Sequence, residues 1–288
     1  MEAALTRPGS RVLPSLGIVL VAGGLFLLGW VAFLWFDPGP SPYHYRLVEE
    51  GGVEKFPKLE LGPWSDLSIS KQEVHIEGME EAVASAYLAR RGNTKPVMLA
   101  WENHVGEPMV FVDSKLSELS VLAPVIAKNM PKDATILAWW DTSRQIQLLT
   151  GLETVFTSHL SEPLITPMLW RSRTEAIAKY ERDFWGAAPS EEEKRKFQRF
   201  ADALLAEPTQ GAAILRELTG GREGYVVVHI SDLYKLGMMR PDGIGVAYKD
   251  FTVKGSGDVH GLNVMVKRWQ SDNKFTSHTV HGLSETNV

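Results

Sequence analysis

The strongest pattern along the chain is an apolar stretch near its start. Residues 12–36 carry no charged side chain. As a helix rising about 1.5 Å per residue, residues 16–36 would reach roughly 31 Å, enough to cross a bilayer core. Arg7 and Arg11 precede this stretch, and a proline-rich run from Asp37 to Pro42 follows it. Positive charge on the leading side places the first residues in the cytoplasm and everything after Asp37 outside. A cleaved signal peptide has a shorter apolar core of about 7–15 residues and a small-residue cleavage site. The bulky residues 31–36 favour an uncleaved anchor instead.

After the anchor the pattern breaks into short alternating segments. Residues 43–70, with several Pro and Gly and weak periodicity, read as extended and irregular. Residues 78–91 carry Met79, Val83, Ala86 and Tyr87 at helical spacing and stop at Gly92 and Asn93, so a helix is expected. Residues 96–101 and 108–113 are apolar runs around a polar turn and read as two strands. A helix follows over 117–129, interrupted in pattern by Pro124, then a strand over 134–140.

That strand opens the most distinctive stretch: Trp139, Trp140, Asp141, Thr142, Ser143, Arg144 and Gln145, after which helical apolar spacing resumes. Residues 153–157 form a short strand with a polar loop after it, and 172–184 a helix. Ser190 and Glu193 make a capping box. Phe197, Phe200, Ala201, Leu204 and Leu205 then form a complete apolar stripe. A further helix spans 209–218. Residues 224–230 are continuously apolar, as expected of a strand buried on both faces, and Ser231 and Asp232 cap a short helix after it. Residues 244–253 and 259–269 read as a hairpin. The economical architecture is α/β: a single N-terminal transmembrane helix followed by a mixed-sheet α/β domain with an antiparallel C-terminal hairpin. The expected organisation is a short cytoplasmic N-terminus (1–15), an anchor (16–36), a stalk and extended segment (37–70), and an exported α/β domain (71–288).

Composition narrows the chemistry. The chain contains no cysteine, which excludes disulfides, thiolate nucleophiles, cysteine-ligated zinc, cysteine-held iron–sulfur clusters and covalent haem attachment through thiols. Net charge is −5 with no long basic run, which argues against nucleic acid as a partner. No phosphate-binding glycine loop, zinc-protease helix or nucleophile elbow occurs, so no cofactor and no metal are expected.

The remaining candidates cluster at strand ends, where α/β sheets bind ligands. Trp139, Trp140, Asp141, Arg144 and Gln145 could hold a polar ligand; alternatively Asp141 caps the next helix while Arg144 pairs with a carboxylate. His159 and Glu162, in the following loop, have acid–base or metal-binding chemistry and are equally compatible with solvation. His229 and Asp232 end the neighbouring apolar strand, as a satisfied core histidine beside a capping aspartate or as further site residues. His278 and His281 face opposite sides if that segment is a strand.

Two resemblances follow from these residues. Leu137, Ala138, Trp139, Trp140 and Asp141, with Gln145 and Ile146, are similar to the Trp-Trp-Asp signature in the soluble domain of oligosaccharyltransferase catalytic subunits. The sequence departs from that signature at Thr142, Ser143 and Arg144 and lacks that family's many membrane helices, so the resemblance implies a shared α/β scaffold only. The second resemblance spans nearly the whole chain. The N-terminal anchor is followed by Trp139 through Gln145, Ser158 through Pro163, Tyr225 through His229 with Asp232 through Gly237, and Val259-His260-Gly261 with Lys267-Arg268-Trp269. Together these resemble the hydroxylamine oxidation protein HaoB family. That resemblance implies a membrane-anchored periplasmic accessory to a multihaem hydroxylamine oxidoreductase, with the haem chemistry in the partner and no catalytic residues to carry over. The alternative is a small-molecule binding or transferase-like enzyme using the Trp-Trp-Asp strand end.

Overall fold

The computed structural model describes residues 12–36, 39–105, 116–160, 168–186, 189–247, 249, 251, 259–276 and 278. The apolar stretch forms α1 (Val12–Phe36). Its segment Ser15–Phe33, with mean hydropathy 2.4 and no buried residue, is long and apolar enough to cross a membrane.

The chain then folds into an antiparallel sheet in sequence order: β1 (Tyr43–Gly52), β2 (Leu67–Ile76), β3 (Ala84–Arg91) and β4 (Val97–Asn103). Short 3₁₀ turns, including Gly62–Trp64, fill the β1–β2 connection. Two expectations are corrected here. The stretch expected to be irregular contains β1 and the start of β2, held by an extended antiparallel register from Tyr43↔Ile76 to Gly52↔Ser68. The helix expected over 78–91 is a turn followed, from Ala84, by the strand β3. Six consecutive residues of β3 are buried because it pairs with β2 on one side and β4 on the other. An alanine-rich strand covered on both faces has no alternation to reveal it, so tertiary pairing overrides helical propensity. The strand expected over 108–113 lies outside the described residues.

The second half is a parallel α/β unit. α2 (Leu116–Asn129) accommodates Pro124 within its span. β5 (Thr135–Leu137) leads into α3 (Trp140–Thr150), and β6 (Glu153–Thr154) follows. α4 (Thr174–Trp185), α5 (Glu191–Leu205) and α6 (Pro208–Leu218) come before β7 (Gly224–Val226) and α7 (Ile230–Met239). The sheet order is β6-β5-β7, with both pairings parallel. The doubly buried strand is therefore β5, every residue of which is buried. Within the run 224–230 the strand is Gly224–Val226, at the edge of the sheet, and Val226, Val228 and Ile230, the first residue of α7, are about half exposed. Continuous apolarity identifies a strand but not its place in the sheet.

Among the described residues the strands form two separate sheets rather than one mixed sheet. The first core cluster joins Ile69, Tyr87 and Leu99 of the antiparallel sheet to Leu119 and Ile126 of α2, Ile146 and Leu149 of α3, and Ile136 of β5. α2 and α3 are thus packed between the sheets. Leu137, pointing the other way from Ile136, joins Trp139, Phe156, Phe197 and Phe200 in a second cluster beneath α5. The C-terminal hairpin is also corrected: its second arm is a helix, α8 (Val259–Asp272). There the apolar residues Leu262, Met265, Val266 and Trp269 recur at helical spacing.

Candidate functional site

Residues Trp139, Trp140 and Asp141 sit where β5 passes into α3, with Trp139 as the N-cap residue and Asp141 in the first turn. On the adjacent strand, β7 passes into α7 with His229 as N-cap and Asp232 three residues on. The parallel pairing of β5 and β7 brings these two helix starts together. Lys235, one turn further along α7, bridges them. Its Nζ lies 2.6 Å from Asp141 Oδ2 and 3.9 Å from Asp232 Oδ1. Side-chain exposure is 6% for Lys235, 3% for Asp232 and 20% for Asp141, so the pair is largely desolvated. The ammonium also stands over the Trp139 ring at 5.8 Å.

Each member has further local partners. The Thr142 backbone N–H donates to Asp141 Oδ1 at 2.6 Å. The His229 backbone N–H donates to Asp232 Oδ2 at 2.8 Å, and the Ser231 N–H donates to His229 Nδ1 at 3.1 Å. This reciprocal capping makes Asp232 the third helical residue rather than the cap itself. Since His229 Nδ1 accepts, Nε2 carries the proton and donates to Glu118 Oε2 at 2.7 Å. Ser231 Oγ is 2.7 Å from the same Nδ1. Serine, histidine and glutamate are therefore in hydrogen-bond sequence, but Ser231 is buried and its own amide already engages the imidazole. Burial pushes the Asp232 carboxyl up to about 6, against the opposing pull of Lys235 and the His229 amide.

Arg144 and Gln145 point the other way, into the antiparallel sheet. Arg144 Nη2 donates to the Pro96 carbonyl at 2.7 Å, and Gln145 Nε2 donates to the Met98 carbonyl at 2.8 Å. With the Trp64 indole donating to the Leu149 carbonyl at 2.7 Å, these bonds fasten α3 to the antiparallel sheet. Among the described residues Arg144 has the Pro96 carbonyl as a near partner, rather than the carboxylate that one reading expected, and its charge also feels Asp141. Its Nη1 donates to His159 Nδ1 at 3.1 Å, which leaves the imidazole proton on Nε2. The His159 ring stacks on Trp185 at 4.2 Å and meets Trp140 edge-on at 4.6 Å. Burial, reinforced by the Arg144 charge, holds His159 down to about 3; burial likewise pulls Arg144 down to about 10.

Beyond His159 lies a cluster that sequence reasoning did not find. Glu181 of α4, 3.7 Å from His159 Nε2, accepts from the Tyr43 hydroxyl at 2.5 Å, the Tyr45 hydroxyl at 3.2 Å and the Trp185 indole at 2.7 Å. Burial raises its carboxyl and these three donors oppose the rise. β1 and α4 lie 136 or more residues apart at these contacts, so no local signal announces them. Lys235 was legible in principle, since helical spacing places it on the face of Asp232. Glu162 and His281 lie outside the described residues. His278 is exposed, with its Nδ1 3.0 Å from Gln270 Oε1. No group of three metal-ligating side chains occurs among the described residues.

Architecture and site together define a class: an α/β protein with one N-terminal apolar helix and a strand-end corner whose polar groups are mostly engaged with one another. A family profile described as HaoA-associated protein HaoB matches residues 9–288, nearly the whole chain. The chain belongs to that family, which ties it to hydroxylamine oxidation in association with HaoA, the hydroxylamine oxidoreductase. Comparison with curated proteins and with solved structures gives no match.

Proposed function

We propose that this chain is a periplasmic accessory of hydroxylamine oxidation, held in the cytoplasmic membrane by α1, that docks or assists a multihaem hydroxylamine oxidoreductase. The observation that carries the proposal is the family match over residues 9–288. The charge-free apolar helix preceded by Arg7 and Arg11 supports the anchor and its orientation. Without any cysteine, a thiol-attached haem has no place on this chain, which supports assigning the multihaem centre to the partner.

The strand-end corner then serves to shape the docking domain. Arg144 and Gln145 lock α3 to the antiparallel sheet, and Lys235 locks α7 to α3. A small-molecule or transferase-like site would need Asp141, His159 and His229 to face one opening with uncommitted side chains. Asp141 is ion-paired, His159 is wedged between two tryptophans, and His229 caps α7, so the geometry favours the accessory reading. Affinity purification of the tagged full chain from membranes should recover a multihaem oxidoreductase, and deletion should slow hydroxylamine oxidation in cells. Recovery of no haem protein together with unchanged oxidation would reject the proposal.

A further inference from the structure

α8 stands apart from the other helices of the α/β unit. None of its residues is buried, although Val259, Leu262, Met265, Val266 and Trp269 fall within one arc of about 120° at 100° per residue. Val259 is 64% exposed and Met265 37% exposed, while Leu262, Val266 and Trp269 are half-buried, and Val264, on the opposite face, is 53% exposed. A helix with an apolar stripe stays folded against a partner that covers the stripe, since isolated helices of this length are marginal in water.

The surroundings indicate which partner. Trp269 contacts the rings of Phe251 at 6.0 Å and Phe275 at 5.1 Å. Lys249 Nζ sits 5.4 Å from the Phe251 ring and 5.8 Å from the Trp269 ring. Lys267 and Arg268 flank the stripe, and Lys274 follows the helix. Residues 244–278 hold five basic side chains against three acidic ones, a positive excess inside a chain of net charge −5. An apolar stripe edged by aromatic rings and cations is the composition that settles at a lipid headgroup boundary, buried about 5–10 Å.

We propose that α8 is an interfacial helix whose Val259–Leu262–Met265–Val266–Trp269 stripe lies on an anionic lipid surface, with Lys249, Lys267 and Arg268 at the headgroups. The inference rests on the membrane anchoring proposed above. Tethering through α1 makes this second contact intramolecular, so modest affinity suffices. The docking domain would then be held at two points and presented to its partner in a restricted orientation.

The absence of cysteine makes the test direct. The full chain is reconstituted in vesicles of phosphatidylcholine with or without phosphatidylglycerol. It carries Leu262→Cys, Met265→Cys or, as an outward control on the opposite face of the helix, Ser271→Cys, each labelled with a polarity-sensitive fluorophore. The expected result is a blue shift and intensity gain at 262 and 265, but not at 271, in the anionic vesicles. Adding Lys267→Glu with Arg268→Glu should abolish it. Labels equally water-exposed in anionic vesicles and in detergent would overturn the proposal, as would an undiminished shift after charge reversal. A shift appearing only when purified hydroxylamine oxidoreductase is added would assign the stripe to the protein partner and also overturn it. Alkaline carbonate extraction separates the two readings. A chain released by carbonate but still shifted on anionic lipid loses the anchor and keeps the α8 contact.

Discussion

Lys235 is the residue on which the strand-end corner turns. Its ammonium is the cation between two carboxylates that are largely removed from water. Removing one partner of a desolvated pair strands the others, at about 3–5 kcal/mol. Lys235→Met, which keeps the aliphatic volume over Trp139, should therefore lower the urea unfolding free energy by that order. Removing one of the two stranded carboxylates with Asp141→Asn in the same chain should recover part of the loss. Two other residues set opposing pH dependences. His159 is held at about 3 against an ordinary 6.5, so its contribution is full above 6.5 and is lost as pH falls toward 3. Asp232 is raised to about 6 from 3.8, so its contribution is full below 3.8 and is lost as pH rises through 6. Between about pH 4 and 6 the slopes oppose each other, each up to about 1.4 kcal/mol per pH unit. Relative to the parent, Asp232→Asn should grow more stable as pH rises across that window, and His159→Gln less stable. Urea midpoints at a series of pH values read both directions.

Among the elements, α5 shows how local chemistry and tertiary contact combine. Ser190 Oγ accepts from the Glu193 N–H at 3.2 Å, and Glu193 Oε2 accepts from the Ser190 N–H at 3.0 Å. The other Glu193 oxygen accepts from Ser158 Oγ at 2.5 Å, tying the loop that carries His159 to the helix. Ser190→Ala should cost about 1 kcal/mol. Glu193→Ala, which also cuts the loop tether, should cost more and should increase hydrogen exchange at 157–160. α6 approaches α5 closely at Gly211, where an added Cβ would lie 2.6 Å from the Ala203 carbonyl oxygen. Gly211→Ala should therefore destabilise by about 1–3 kcal/mol, seen as a lower thermal midpoint.

For the whole molecule, the arrangement is an apolar helix, an antiparallel sheet, and a parallel sheet joined to it through α2 and α3. The anchor is tested by a single charge. Leu27→Arg places a guanidinium near the middle of α1 and should cost insertion about 2.5–3.5 kcal/mol, moving protein from the carbonate-resistant membrane fraction to the soluble one. An unchanged distribution would remove the anchor from the proposed function while leaving family membership intact.

What the sequence determined by itself is local. The charge-free run of α1, the capping box and stripe of α5, the helix after Asp141 and the parallel strand-to-helix passages were legible because each is written within one or two turns of chain. The near-full-length resemblance was legible for the same reason, since it rests on contiguous motifs. The tertiary structure alone decided the rest. β3 reads as a helix until two strands pair with it. The run at 224–230 reads as a central strand until β5 takes that place, and residues 259–269 read as a hairpin arm until their stripe is laid out at 3.6 residues per turn. In the sequence Trp139, Asp141, Arg144 and Gln145 stand as one group, and the division between them was not visible. Asp141 turns to Lys235, while Arg144 and Gln145 turn to the carbonyls of β4 and the residue before it. Such pairings close loops of tens to more than a hundred residues, and the side chains that complete them, Lys235, Glu118, Glu181 and the tyrosines of β1, carry no mark in their own neighbourhoods of the partner they meet.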